Sequence, residues 1–334
     1  MKAHAIEHVR AGQTVWSEID LNGPGPEEVL VRAQFSAISA GTESLLFTGR
    51  FPPDTQLDAS IPELRRVFDY PVRYGYSLVG EIIRVGHASN EHWLGRRVFL
   101  FHPHQDLVCV RLDACWPVPE GVSIRAGCFL PNTESAVNFV MDLRPVLGER
   151  LLVVGLGVVG LLTTAILMHF PLGDLVVVDR LSSRRAWGRR LGAKDLCSPR
   201  GLAADNDPAG NGIDAALELT GDMSTLNEVF DVMGFGGRIV VGSWYGEQHK
   251  PISLGGAFHR RRLSLVSSQV STVAADLSSR WSKSRRMALA RNWLARIDPE
   301  PWISHMFPPS RCQQAFELAA QPTESVLQIL FDYR

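Results

Sequence analysis

The sequence predicts an α/β protein in which a β-rich portion is joined to a doubly wound parallel sheet. Three observations carry this prediction. Residues 1–120 are short apolar runs, such as Glu27–Gln34 and Gly80–Gly86, broken by Gly, Pro and polar turns. From residue 124 the pattern changes, and apolar strands alternate with helical segments, which implies βαβ units. The first of those strand-to-helix junctions is the glycine-rich run Gly155-Leu156-Gly157-Val158-Val159-Gly160.

Each element follows from its local pattern. Residues 51–70 are Pro-rich and mixed, and read as a long loop with one helical turn. Ser135–Leu143 is helical. Leu151–Val154 is an apolar strand, 158–169 a helix and Asp174–Val178 a strand, followed by a helix from Ser183 to Leu191 that Gly192 ends. Ile213–Leu219 and Arg238–Gly242 are further strands. Residues 282–297 are helical, and the chain closes on a strand-like run, Val326–Tyr333. The tail is expected to rejoin the first part, with one domain over 1–131 and 265–334 and the other over 132–264.

Length and composition bound the function. A chain of 334 residues is too long for one ordinary core and suits two domains. A net charge of -1 offers no footprint for nucleic acid or an anionic membrane. The start of the sequence has no apolar core of a signal peptide. Leu151–Phe170 is apolar enough to suggest a membrane span, but its three glycines in phosphate-loop spacing fit a strand, a turn and a helix better. Five cysteines, none in a CxxC pair, argue against a disulfide framework and for a reducing cytoplasm.

The glycine run fits G-x-G-x-x-G in the context that gives the motif meaning. Gly155 permits the tight turn, Gly157 lets backbone approach a pyrophosphate, and Gly160 lets the helix pack on the sheet. Val158 and Val159 open the helix, whose free N–H groups and partial positive charge face the phosphates. Asp179 ends the next strand, 24 positions after Gly155. A carboxylate there accepts from ribose hydroxyls and repels a 2′-phosphate, so NAD(H) is favoured over NADP(H). Arg180, Arg184 and Arg185 stand against this as possible partners of a 2′-phosphate, or form a solvated helix face. Thr220-Gly221 and Gly242-Ser243 follow apolar strands, where ligands sit in open parallel sheets, and are either neighbours of the nicotinamide ribose or plain turns.

These residues together resemble the medium-chain dehydrogenases/reductases. Ile38-Ser39-Ala40-Gly41-Thr42-Glu43 is similar to their V-C-G-T-D segment, and Tyr74-Gly75-Tyr76-Ser77-Leu78-Val79-Gly80-Glu81 to P-G-H-E-x-x-G-x-V. Pro119-Glu120-Gly121-Val122-Ser123 resembles the approach to the cofactor domain. The resemblance spans nearly the whole chain and implies a GroES-like catalytic domain plus a Rossmann domain. It also exposes departures. The zinc ligands of the family fall at Ala40, Tyr76 and near Pro131, none a good ligand, and the cysteine-rich lobe for structural zinc is missing. No zinc is therefore expected. In the tail, Phe258-His259-Arg260-Arg261-Arg262, Val266-Ser267-Ser268-Gln269-Val270 and Arg280-Trp281 resemble the branch that oxidises a 3-hydroxyethyl side chain to acetyl in bacteriochlorophyll synthesis; Ser268 enters the expected cofactor set from this run.

Oxidising a secondary alcohol needs a group to take the hydroxyl proton as hydride leaves, and without a metal a side chain must do it. Tyr76 stands at a former ligand position, as a base if its phenol is lowered from about 10, as a hydrogen-bond donor to a substrate carbonyl with no shift needed, or as packed aromatic filling of the vacated metal site. Thr42 matches the family's relaying hydroxyl. Glu43 matches an acid that orients the ligand histidine, and here orients Tyr76, contacts substrate or is structural. His102 and His104 suggest a general acid/base or a polar loop. Glu134, beside Asn132, is placed by the resemblance near the lost third ligand. Arg260–Arg262 either bind an acidic substrate or form a solvated turn.

The expected activity is a zinc-independent, NAD(H)-dependent interconversion of a secondary alcohol and a ketone. A zinc-free quinone or enoyl reductase, or a dinucleotide-binding sensor or scaffold without catalysis, stay open beside it. Leu263–Val270 occupies the family's dimer-edge position, so a homodimer is expected.

Overall fold

A computed structural model describes residues 1–58, 61–205, 212–321 and 323–334. The chain divides into two compact units. Met1–Pro131, Leu294–Pro322 and Val326–Arg334 form the first, and Asn132–Trp293 with Thr323–Ser325 the second. The return to the first unit thus comes at Leu294, not at 265.

In chain order the first unit contributes β1 (Lys2–Arg10), β2 (Gln13–Asp20), β3 (Glu28–Ala37), α1 (Ala40–Phe47), β4 (Leu78–Val85), β5 (Arg97–Leu100), β6 (Leu107–Arg111), β7 (Trp116–Pro117) and α2 (Ile124–Gly127). Helix α3 (Leu130–Leu143) leads into β8 (Arg150–Val154), α4 (Val158–Leu167), β9 (Asp174–Val178), α5 (Ser182–Arg190), β10 (Lys194–Leu196), β11 (Ile213–Glu218), α6 (Thr225–Val232), β12 (Met233–Val241) and β13 (Ser264–Ser267). Helix α7 (Lys283–Ile297), β14 (Ile303–Phe307), α8 (Cys312–Ala319) and β15 (Gln328–Asp332) complete the chain.

The second unit is built on a six-stranded sheet of order β10-β9-β8-β11-β12-β13, in which every pairing is parallel. Parallel strands covered on both faces read as continuous apolar runs, and Leu151–Val154 is buried throughout. Residues 265–293 stay with this unit for two physical reasons. Strand β13 extends the sheet beside β12, with Arg238 opposite Ser264 and Val241 opposite Ser267. Arg286 of α7, fully buried, bonds to Glu134 and Asn138 of α3.

In the first unit β14-β15-β3-β4-β5-β7 form a sheet, with β6 also paired to β3, and β1 and β2 form a separate hairpin. Val29, Val31, Leu78, Ile82, Val98 and Leu100 supply its core. The expected loop over 51–70 carries a single 3₁₀ turn, Pro62–Leu64. Its Phe51, Leu57, Ile61 and Leu64 pack with Leu46, Val72 and Tyr74 into an apolar cluster that Tyr76 and Phe101 border. The architecture is therefore a β-rich unit plus a Rossmann-like parallel-sheet unit. Among the described residues no helix is long and apolar enough to cross a membrane.

Candidate functional site

Strand β8 delivers the chain to Gly155, whose φ of +100° suits glycine, and a Cβ there would press on the Leu219 carbonyl carbon at 2.6 Å. Gly157 is the N-cap of α4 and has no side-chain cap. A Cβ at Gly157 would meet no atom within 4 Å, so the protein's own packing does not demand glycine here. A bare Cα over the open N–H groups of a helix N-terminus is what an approaching phosphate needs. Gly157, Val158 and Val159 are all partly exposed, while Gly160 is buried.

Asp179 leaves β9 and turns back to this loop. One carboxylate oxygen accepts from the Leu156 N–H at 2.8 Å and the other from the Leu181 N–H at 2.8 Å. Arg184 stands 3.8 Å from it. Arg185 donates to the carbonyl oxygens of Asp179 and Arg180 and lies 3.3 Å from Asp195. Arg184 and Arg185 thus have acidic neighbours within the unit, and Arg180 is exposed.

The strand-end turns at Thr220 and Gly242 are joined by a residue that sequence reasoning passed over. Glu218 ends β11 fully buried. It accepts from the Thr220 N–H at 2.8 Å, the Thr220 hydroxyl and the Tyr245 hydroxyl at 2.6 Å. The Gly242 N–H donates to its carbonyl, and the Gly221 N–H donates to Ser243 Oγ at 2.9 Å. The signal in the sequence was an acid closing an apolar strand. Ser268 bonds to Asn138 and Asp142, which fixes β13 to α3.

Glu134 is held inside the same unit by Arg286, at 3.0 Å and 3.1 Å. Burial pushes its carboxyl above the usual range, and Arg286 pulls it back only in part. Its partner is thus a structural arginine.

In the first unit Tyr76, Ser39 and Thr42 come together. The Tyr76 hydroxyl donates to Ser39 Oγ, and the Thr42 hydroxyl is also in hydrogen-bonding reach. All three side chains are partly exposed. Burial drives the phenol up to about 12 against the pull of the Ser39 hydrogen bond. At neutral pH Tyr76 is therefore a hydrogen-bond donor, not a base.

Ser39 is the N-cap of α1, yet its side chain makes no capping bond. Glu43 reaches back instead and accepts from the Ser39 N–H at 2.8 Å. Its other oxygen is 2.8 Å from His104 Nε2. His104 Nδ1 meets Ser36 Oγ at 2.7 Å, which meets the Tyr333 hydroxyl at 2.8 Å. Of the two neighbouring histidines it is His104 that joins Glu43. His102 is buried with its Nδ1 against the Pro103 carbonyl at 2.9 Å, and burial lowers its pKa, so it stays neutral.

The three positions where the resemblance puts zinc ligands hold a methyl at Ala40, a neutral phenol at Tyr76 and no donor at Pro131. This set does not suit zinc. Among the described residues no three His, Cys, Asp or Glu side chains converge as ligands.

Known proteins share the fold and part of the sequence. Residues 158–288 match the family described as zinc-binding dehydrogenase. L-threonine 3-dehydrogenase from Coxiella burnetii (strain Dugway 5J108-111) is 22% identical over 338 residues, covering 88% of this chain and 89% of that one. The Xanthomonas axonopodis pv. citri (strain 306) enzyme of the same name is 21% identical over 274 residues, covering 71% and 76%. Among solved structures, 2R,3R-butanediol dehydrogenase from Bacillus subtilis superposes with a TM-score of 0.79 at 16% identity, covering 99% of this chain and 100% of that one. An alcohol dehydrogenase from Escherichia coli CFT073 in complex with NADH gives 0.77 at 18%, covering 99% of each. Residues 158–288 thus resemble the zinc-binding dehydrogenase family, and the chain shares its fold with these solved dehydrogenases.

Proposed function

We propose that this chain is an NAD(H)-dependent oxidoreductase that interconverts a secondary alcohol and a ketone without zinc. The observation that carries the reading is Tyr76: a neutral phenol on two hydroxyls, at a position where the family resemblance puts a metal-binding histidine. Bound NAD⁺ supplies the hydride acceptor. Tyr76 holds the substrate oxygen by a hydrogen bond, and the proton that the oxygen loses on oxidation passes through the Thr42 and Ser39 hydroxyls to solvent, returning by the same route on reduction. A positioned donor of this kind contributes roughly 10²–10⁴-fold.

Preference for NAD(H) rests on Asp179, whose carboxylate would face a 2′-phosphate with repulsion, and on the acidic neighbours of Arg184 and Arg185. The tail's resemblance points to a hydroxyethyl group as the oxidised part of the substrate. Strand β13 is exposed along its length and lies at the sheet edge with Leu265 and Val266 outward, which supports a homodimer formed through this edge.

One experiment joins these points. Metal analysis of the purified protein accompanies a panel of secondary alcohols and ketones assayed with NAD(H) and NADP(H), for the wild type and Tyr76→Phe. We expect turnover with NAD(H), substoichiometric zinc and a kcat at least about 100-fold lower in the variant. Stoichiometric zinc, tighter NADPH binding or an unaffected variant would each remove the corresponding part of the reading. Reduction of quinones or enoyl compounds alone would assign the chain to C=C reduction, and no turnover at all to a sensor.

A further inference from the structure

A serine at a helix N-cap normally spends its hydroxyl on the N–H groups of the first turn. Ser39 does not. Its Oγ is taken by Tyr76, and α1 gains no side-chain cap from it. The half of the capping arrangement that survives is the reverse one, in which an acid inside the helix reaches back to the N-cap N–H. Glu43 fills that role at 2.8 Å. Glu43 is itself fully buried and is fixed by His104, also fully buried, at 2.8 Å.

The donors and acceptors around His104 close consistently for one arrangement. The Tyr333 hydroxyl donates to Ser36 Oγ, the Ser36 hydroxyl to His104 Nδ1, His104 Nε2–H to Glu43, and the Ser39 N–H to the second Glu43 oxygen. His104 also touches the other half of the site. A Cβ on Gly75, the residue before Tyr76, would lie 2.9 Å from the His104 ring, and Gly75 has a φ of +128°. One imidazole thus abuts the backbone that presents Tyr76 and the carboxylate that orients Ser39.

We infer that Ser39 is the hydroxyl partner through which Tyr76 works, and that Glu43 and His104 are positioning residues that hold Ser39 so its hydroxyl serves Tyr76 instead of capping α1. This deepens the reading of Tyr76 as the hydrogen-bond donor at the substrate oxygen and rests on it for its catalytic meaning. The positioning itself is a property of the free protein. When the pair is removed, the Ser39 backbone N–H loses the carboxylate that anchors it, and the Ser39 hydroxyl is no longer held as the acceptor of Tyr76.

The test needs no substrate, so its failure is separable from that of the proposed activity. Ultraviolet resonance Raman spectra report from the tyrosine doublet whether a phenol donates or accepts. The difference between wild type and Tyr76→Phe isolates Tyr76. We expect Ser39→Ala to abolish the donor signature, His104→Ala to reproduce that change although it touches neither hydroxyl, and His104→Gln, whose amide still donates to Glu43, to restore it. Because His104→Ala strands a buried carboxylate, Glu43→Met/His104→Leu repeats the test in a core without buried charge, with the same loss expected. A Tyr76 doublet unchanged in Ser39→Ala, or unchanged in the variants that lack the pair, overturns the inference.

Discussion

The Glu43 carboxylate and the His104 imidazole meet at 2.8 Å with no side-chain exposure on either partner. Taking a carboxylate out of water costs several kcal/mol, and the pair persists because each carboxylate oxygen and each ring nitrogen has a hydrogen-bond partner. Removing one member leaves the other buried and unmatched. His104→Ala is expected to lose about 3–5 kcal/mol in denaturant unfolding, whereas Glu43→Met/His104→Leu loses markedly less. Equal losses in the two variants would mean that packing volume, not the stranded charge, sets the cost.

His8 presents the opposite case nearby. It is fully buried in β1 among Phe47 and Phe316, and neither ring nitrogen has a hydrogen-bond partner among the described residues. Burial first, and the neighbouring His104 second, pull its pKa down to about 3. The sign follows from linkage. The unfolded chain binds the proton below 6.5 and the folded chain does not until about 3, so the contribution is present above 6.5 and is lost as pH falls through that window. The loss approaches about 1.4 kcal/mol per pH unit. His8→Leu should be no less stable than wild type at pH 7.5 and clearly more stable at pH 5. Melting temperatures that fall in parallel for both proteins over this range would show that other groups govern the acid response.

Much of this was legible in the sequence, for reasons that can be named. The parallel sheet announced itself because buried strands such as Leu151–Val154 are continuously apolar, and the tight turn between β8 and α4 because glycine spacing encodes backbone geometry directly. Tyr76 and Thr42 could be placed through short motifs. The Glu43–His104 and Glu134–Arg286 pairs could not. Their members lie 61 and 152 positions apart, and which histidine or arginine meets which acid is decided by sheet register and helix packing. His102 and His104 show the limit well: two positions apart in a loop, one bonds to a local carbonyl and the other reaches α1. The tail boundary was misjudged because β13 is short and exposed, and so carries little apolar signal of its sheet.

Gly157 separates binding from folding. Its added Cβ would clash with nothing, so Gly157→Ala should cost the fold at most about 1 kcal/mol, the difference between these residues at an N-cap. The methyl would nevertheless stand where a pyrophosphate approaches the helix. NADH binding measured by fluorescence titration is expected to weaken at least about tenfold, or 1.4 kcal/mol. Gly155→Ala, which meets the Leu219 backbone at 2.6 Å, should instead destabilise the protein itself. If Gly157→Ala binds NADH as wild type does, the phosphates do not pass over this loop.

Arg286 is buried completely and bonds to Glu134, Asn138 and the carbonyls of Val270 and Thr272, tying α7 to α3 and to the turn after β13. Arg286→Met therefore removes a cation and leaves a carboxylate in its place among apolar atoms, with an expected loss of about 3–5 kcal/mol at pH 7.5. The pH dependence identifies the cause. Burial already holds the Glu134 carboxyl above its ordinary value, and without the arginine only the lesser pull of Lys283 opposes it. A carboxyl raised in the folded state gains stability from its protonated form, fully below its ordinary value of 4.5, and loses it as pH rises through the raised value. The deficit of Arg286→Met relative to wild type should thus shrink on acidification toward pH 5. Glu134→Gln/Arg286→Met, which has no carboxylate to strand, should show no such recovery, and comparison of the two variants at each pH cancels the opposing response of His8. A deficit that stays constant with pH would assign the loss to the severed carbonyl contacts rather than to the buried charge.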